Sequence, residues 1–453
     1  MTLTKENSIT EGPIFSSMLR FAIPMMIASV VQLIFHAVDI IVLGQMADTV
    51  SVASVGMTSA VTNLLIGAFS GFASGLNILL SRFVGAQDTR RTRLAVDTAI
   101  IAAFVAGLVL TVGFFFLAPA VLSLVQCPPE CRVGAALYLR IYLFSTPAIL
   151  VYNFGSTVIR VSGDTKRPLY YIIASGLLNV VLNYALCLLL TNKVAAVAIA
   201  TLASQVLSAL LVMIHLVRMK GDCHVDLRRM RFSCSMLRRI VYYGLPAALT
   251  NTFYFIPNFI IQSSINSFGA AAITGNTAAS NLDGIFRCVY QCFGSTTGIF
   301  IGQNLGAGHN DRVRAAFRAG LLFCLISSLV LGILGATLGA SLLKIYIPSD
   351  DTALAYGMLR MRGVTLFSFI DAINNVLSNF HSATGYPLGN PIAMAVSDVG
   401  LRIVWMLFLL PLRPSMEMLY FCYPVSRLVL FIVLAILLIR IWKKFRTGRL
   451  RKI

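Results

Sequence analysis

Charge is scarce in this chain. Asp, Glu, Lys and Arg make up 12% of its 453 residues, against 58% hydrophobic residues, and the mean hydropathy is +0.83. Soluble domains carry about 25% charged residues, so a soluble globular fold is excluded. Acids are scarcer than bases, 17 against 36, which leaves a formal charge of +19. No long stretch alternates apolar and polar residues with period two, so a transmembrane barrel is excluded as well. The nine cysteines include no CxxC pair and no His/Cys cluster with zinc spacing. No nucleophile–base constellation is visible, which argues against a membrane enzyme. Cys127 and Cys131 flank Pro128-Pro129-Glu130 in an expected loop and are read as unpaired thiols. The start of the chain, MTLTKENSITEGP, is polar and the first apolar run is too long for a signal-peptide core, so no secretory leader is expected.

What the chain does contain is a series of apolar runs of about 20 residues, the length that crosses about 30 Å of hydrocarbon. With barrels excluded, the spans must be helices, because only helices then satisfy their own backbone in lipid. The expected fold class is an all-α integral membrane protein with about twelve transmembrane helices. They lie near 15–43, 52–80, 94–117, 134–159, 168–190, 194–217, 240–266, 270–301, 317–341, 354–381, 391–412 and 416–441.

Lys and Arg concentrate in the loops after even-numbered spans and in the tail. Examples are Arg90, Arg91 and Arg93 after the second span, Arg228, Arg229 and Arg231 after the sixth, and Arg440 to Lys452 at the end. The positive-inside rule then puts both termini in the cytoplasm of a multi-pass protein of the cell (plasma or inner) membrane. This distribution also explains the net charge without nucleic acid: the bases orient the chain and meet the anionic cytoplasmic leaflet.

The chain resembles itself at an offset of about 222. RFAIPMM (20–26) meets YYGLPAA (242–248), FVGAQDTRRTRLA (83–95) meets NLGAGHNDRVRAA (304–316), and VSGDTKRPL (161–169) meets ATGYPLGNPI (383–392) with one residue inserted. An even span count per half makes this a parallel repeat, two six-helix bundles related by a pseudo-two-fold along the membrane normal. The expected organisation is an N-lobe over 1–219, a basic cytoplasmic linker over 220–239, a C-lobe over 240–442 and a basic tail over 443–453. Two such lobes suggest a rocking transporter, and a monomer is expected.

The first span carries an acid, in FHAVDIIVLGQ (35–45). Asp at the centre of a span costs about 2.5–3.5 kcal/mol on insertion scales, so it usually faces a cavity or a partner. Gln32, His36 and Asp39 fall at i, i+4 and i+7, one helical face. Pro24 lies in the same span. The pattern favours a proton or cation site over a packing acid, whereas His36 alone reads as a packing residue able to tune Asp39. Asn179 and Asn183, one turn apart, read on their own as interhelical hydrogen-bonding residues. In the second half, Asp371 lies mid-span with Asn374 and Asn375 a turn further on. Asp283 has Arg287 at i+4, which suggests an intrahelical ion pair, and Asp398 with Arg402 repeats that spacing. Tyr152, Asn153, Phe154, Met25, Phe253, Tyr254 and Phe293 could line a cavity for flat apolar cations, although ordinary packing explains any one of them.

Several stretches resemble the multidrug and toxic compound extrusion (MATE) family over essentially the whole chain. They are AVDIIVLGQM (37–46), LRIYLFSTPAILVYNFGSTVIRVSGDTKRP (139–168), LNVVLNYAL (178–186), AVAIATLASQ (196–205) and above all GIFIGQNLGAGHNDRVRAA (298–316). The resemblance implies an efflux antiporter that exports organic, often cationic, small molecules in exchange for H+ or Na+, with no cofactor beyond the coupling ion. It implies an N-lobe cation site at Asp39, Asn179, Asn183 and Thr201, which would hold Na+ if sodium is the coupling ion, and a second functional acid at Asp371. Relatives often carry Asp where this chain has Asn183, and some carry a Glu in the seventh helix where this chain has no acid. Both H+ and Na+ therefore stand. A related lipid-linked oligosaccharide flippase is the alternative, with Arg140, Arg360 and Arg362 available for pyrophosphate. The major-facilitator pattern is not met, because Asp88 in GAQDTRRTR (85–93) has the wrong spacing.

Overall fold

A computed structural model describes residues 9–124, 128–348 and 350–447. Among the described residues every regular element is helical. In chain order the α-helices are α1 (Ile14–Met46), α2 (Thr49–Gly85), α3 (Thr89–Leu124), α4 (Pro129–Leu143), α5 (Thr146–Val161), α6 (Lys166–Leu189), α7 (Lys193–Arg218) and α8 (Cys234–Asn266). They continue with α9 (Ala270–Gly306), α10 (Asn310–Leu343), α11 (Asp351–Arg360), α12 (Ser368–Ala383), α13 (Gly389–Met394), α14 (Leu401–Val404) and α15 (Met416–Arg446). Each of the twelve expected spans coincides with helix.

Among the described residues eight helices are individually long and apolar enough to cross a membrane, and α4 with α5 makes a ninth that is bent by 46° at its joint. The other three spans lie in α8, α9 and α11–α12, the last broken by a turn at Leu366–Phe367, and carry polar residues such as the buried Asn276, Asp283 and Asn374 and the half-buried Asp371. Cys131 falls inside α4 and is buried, not in a loop as its two prolines suggested, because Pro128 and Pro129 start the helix. Cys127 lies outside the described residues.

The chain divides into two compact units, Ile23–Gly244 and a second formed by the described residues before Ile23 with those from Leu245 onward. The lobes expected from sequence began at residue 1. Instead residues 9–22 pack with the second unit, where Phe15 meets Phe323, Phe21 meets Phe300, and Arg312 donates to the Gly12 and Glu11 carbonyls. The division falls inside α1 and α8, and in each case a proline, Pro24 or Pro246, lies two residues beyond it.

In the first unit α5 packs on α2, α3 and α7. Lipid offers no hydrophobic drive for helix association, so small residues that allow close approach matter most. Gly107 is such a residue: a Cβ there would stand 2.4 Å from the Pro147 Cα. Pro147 also explains the α4–α5 joint. It has no N–H, so the Leu143 carbonyl four residues earlier loses its helical donor. The Thr111 hydroxyl of α3 supplies the missing bond at 2.7 Å. At the start of α2, Asp48 accepts from the Ser51 hydroxyl at 2.6 Å, which holds its carboxyl below the usual range.

In the second unit α9 packs on α10, α11 and α12, and α12 packs on α15. A Cβ at Gly275 would stand 2.2 Å from the Ala353 carbonyl, so α9 and α11 touch backbone to backbone. Three π-helical turns, Met361–Thr365, Ala395–Gly400 and Trp405–Leu409, interrupt this unit's helices. Such turns free backbone carbonyls and recur at functional sites.

Candidate functional site

In the first unit α1 crosses α6 through a matched pair of faces. A Cβ on Gly176 would overlap the Phe35 ring at 1.8 Å, so only glycine admits that ring. One turn further along α1 this contact brings Asp39 to Asn183, whose Nδ2 donates to Asp39 Oδ1 at 2.6 Å. The same amide reaches Asn179 Oδ1 at 3.1 Å, and Asn179 Nδ2 donates to Ser204 Oγ at 3.3 Å. Ser204 and Thr201 hydroxyls close onto α7 carbonyls, Thr201 onto Val197 at 3.0 Å. The Tyr138 hydroxyl approaches Thr201 from α4. The chain Asp39–Asn183–Asn179–Ser204 thus joins three helices.

Beside it lies a cavity of about 40 Å³ lined by residues including Gln32, Asp39, Asn179, Thr201, Ser204 and Gln205. A water needs about 10–15 Å³ of such space, so the cavity has room for about three waters or a small cation stripped of most of its water, and for no drug-sized molecule. Its polar atoms are mostly oxygens, the ligands hard cations prefer. Among the described residues no Lys or Arg pairs with Asp39, and Asn183 Oδ1 is buried without a hydrogen-bond partner. Among the described residues there is also no group of three His, Cys, Asp or Glu that could hold a transition metal.

The structure therefore brings Asp39, Asn179, Asn183, Thr201 and Gln32 together. Tyr152 and Asn153 are on α5, outside that cavity's lining; Tyr152 is buried and Asn153 caps the Ile149 carbonyl. Pro24 is buried within α1, and the side chain of His36 lies outside the described residues. Sequence reasoning missed Ser204 and Tyr138. Ser204 had a signal, since it stands three residues after Thr201 on the same helical face.

The acids of the second unit stand in different company. Asp371 accepts from the Tyr290 hydroxyl at 2.7 Å. Asp283 was expected to pair along its own helix with Arg287. The cation it meets comes from α11 instead: Arg360 Nη2 lies 3.9 Å away, and Thr365 donates to Asp283 at 3.2 Å. Arg360 also donates to Asn276 at 2.8 Å. Asp398 pairs with Arg402, as the i+4 spacing suggested, and Ser426 joins both. Arg427 donates to the Val364 carbonyl in the first π turn at 3.0 Å. Arg360, Arg402 and Arg427 all sit near the Tyr423 ring, at 5.4, 4.6 and 6.0 Å. Asn375 fits against Gly294, and its side chain accepts from Asn379 at 3.3 Å. No sequence signal pointed to Tyr423 as the centre of this cluster.

Comparison with known proteins agrees with this architecture. The chain is similar to two probable multidrug resistance proteins of Bacillus subtilis. YoeA is 25% identical over 79% of this chain and 78% of its own length, and YpnP is 26% identical over 84% and 85%. Multidrug export protein MepA of Staphylococcus saprophyticus is 22% identical over 88% of each chain. Among solved structures, a MOP superfamily transporter from Pyrococcus furiosus superposes with a TM-score of 0.89 at 20% identity, covering 98% of this chain and all of that one. An outward-facing multidrug resistance MATE transporter superposes at 0.85 and 21%, covering 98% of this chain and 99% of that one. The MatE family model matches residues 24–185 and 246–411, one segment in each half, so the chain belongs to the MATE family of multidrug efflux transporters, multi-pass membrane proteins and not enzymes.

Proposed function

We propose that this transporter exports organic, often cationic, small molecules by antiport against H+ or Na+, and that Asp39 carries the coupling ion. The observation that supports this most is a carboxylate inside an apolar bundle that accepts from the Asn183 amide, pairs with no Lys or Arg among the described residues, and lies beside an ion-sized cavity. Such a group is costly as a bare anion. Binding a proton removes the charge, and binding Na+ balances it, with Asn179, Asn183 and Thr201 offering further oxygens. Coupling requires that ion and drug each prefer a different conformation. Asp39 shares α1 with Pro24, about four turns away, so occupancy at the acid and the geometry of α1 are linked. Asp371, half-buried and held by Tyr290, is a second group that could meet a cationic substrate.

The flippase reading loses footing on its own arginines. Arg360 is engaged by Asp283 and Asn276, and Arg140 lies over the Phe115 ring at 5.3 Å. We read the protein as a monomer in the cell membrane, with two repeated lobes and both termini cytoplasmic, its basic loops facing the anionic leaflet.

Everted vesicles test the proposal. A cationic dye is loaded, and a pH gradient or a sodium gradient is imposed separately. One gradient alone is expected to drive dye transport by the unmodified protein, and Asp39→Asn is expected to abolish it while the protein still inserts. Gradient-driven transport at the unmodified rate in Asp39→Asn would remove Asp39 from the mechanism.

A further inference from the structure

The first unit holds a second cavity, of about 490 Å³, that shares no lining residue with the one beside Asp39. Its lining is apolar throughout. α3 supplies Ile100 and Phe104, α7 supplies Leu210 and Met213, and α5 forms the floor with Pro147 and Ala148. Its volume lies in the range of about 300–1,000 Å³ that small-molecule sites occupy. The slot exists because α3 and α7 both pack on α5, and the Gly107–Pro147 contact closes its deep end. Its lining runs from Ile100 to Val105 on α3 and from Val206 to Met213 on α7, about 8 and 11 Å of helix, which takes the inner part of an acyl chain in a leaflet of about 15 Å.

The other end is closed by the chain after α7. There the sequence Asp226-Leu-Arg-Arg-Met-Arg-Phe sets Leu227 and Met230 three residues apart, and both reach the cavity. Arg228, Arg229 and Arg231 between and beside them are exposed. Two bonds pin this segment to α3: Arg231 N donates to Asp97 at 3.1 Å, and Ser233 N donates to the Thr98 hydroxyl at 3.3 Å. Arg229 approaches Asp226 at 4.0 Å in the open, and among the described residues the Arg228 guanidinium has no protein partner. Met230 is half-buried, and Leu227 is exposed beside the bases, the mixed apolar and basic surface of a segment lying at a membrane interface.

We propose that the slot binds one acyl chain of an anionic phospholipid, with Arg228 and Arg229 holding the headgroup phosphate. The apolar walls take the inner part of the chain, and the bases at the mouth select the charge. The proposal rests on the cytoplasmic placement of this loop, where anionic lipid is concentrated. A bound chain lies against Pro147 and Phe144, at the α4–α5 joint, and α4 carries Tyr138 toward Thr201. Lipid occupancy would thus support the helix whose Tyr138 approaches Thr201.

The test is lipid retention by the full chain. The protein is reconstituted in equal parts phosphatidylglycerol and phosphatidylcholine, extracted, and its retained lipids are counted by native mass spectrometry. Binding is read without reference to leaflet or transport, so its failure is separate from that of the antiport reading. The unmodified protein should retain phosphatidylglycerol in preference. The double variant Arg228→Gln/Arg229→Gln, on an exposed segment, should lower that preference roughly thirty-fold, the effect of two bases near an anionic surface. Ala148→Phe, which fills the floor, should lower retention of both lipids. Equal retention of the two lipids by the unmodified protein would overturn the proposal. So would retention unchanged by Ala148→Phe, since the chain would then lie elsewhere.

Discussion

Asp39 in the first unit and Asp398 in the second are both carboxylates among apolar helices, yet their surroundings differ. Asp39 accepts from the Asn183 amide, which also reaches Asn179. Asp398 meets a guanidinium, and its neighbour Asp283 meets another. A buried acid with a built-in cation is already balanced and gains nothing from an ion in solution. A buried acid without one lacks a positive charge that a proton or a metal ion can supply. The duplicated architecture therefore places the same residue type in two settings: an amide partner at Asp39, and guanidinium partners at Asp283 and Asp398. Backbone breaks follow the same division. The carbonyl freed by Pro147 is met by a neutral hydroxyl from Thr111, while the Val364 carbonyl in a π turn is met by Arg427.

That contrast can be broken by substitution. The largest effect is expected for Asp39→Asn, which should reduce gradient-driven dye efflux to the level of protein-free vesicles. The same variant should unfold at an unchanged or higher temperature, because it removes a desolvated charge. Next is Asp398→Asn, which strands the Arg402 charge and should cost about 3–5 kcal/mol of stability. Thermal unfolding in detergent measures it, and the double change Asp398→Leu/Arg402→Met should recover most of the loss. Tyr290→Phe removes the hydroxyl from Asp371 and should cost about 1.5–3 kcal/mol with the coupling ratio retained. A changed ion-to-dye ratio in that variant would move Asp371 into the exchanging class and collapse the contrast. Smallest is Thr111→Val, about 1–3 kcal/mol from the orphaned Leu143 carbonyl, again read from the unfolding temperature. Asn183→Asp sharpens the comparison from the other side. A second carboxylate beside Asp39 raises proton affinity through like-charge repulsion, so the pH of half-maximal coupling should move upward.

Much of the fold was legible because hydrophobic length is a local signal, and all twelve apolar runs are helical. The 46° joint was only half legible: Pro147 marks it, but the Thr111 hydroxyl that makes it tolerable comes from another helix. The face of Asp39 could be read from its spacing with Gln32. Its partners could not be read from spacing, since the asparagine that meets it is 144 residues away, and only family resemblance singled out Asn183. The Phe35–Gly176 overlap that sets their register is a matter of shape, which residue types do not announce. Asp283 shows the opposite failure. The i+4 rule offered Arg287, and tertiary packing delivered Arg360, because a π turn begins right after that arginine.

The separation of 144 residues between Asp39 and Asn183 also sets a waiting time. At about 5–20 residues per second of synthesis, roughly 7–30 s pass between the two being made. During that interval the first helix must enter the bilayer with its acid unmatched. For that time the acid stands without its amide partner, at a cost of about 2.5–3.5 kcal/mol on insertion scales, so the order of synthesis puts the least stable stage of this site at its beginning.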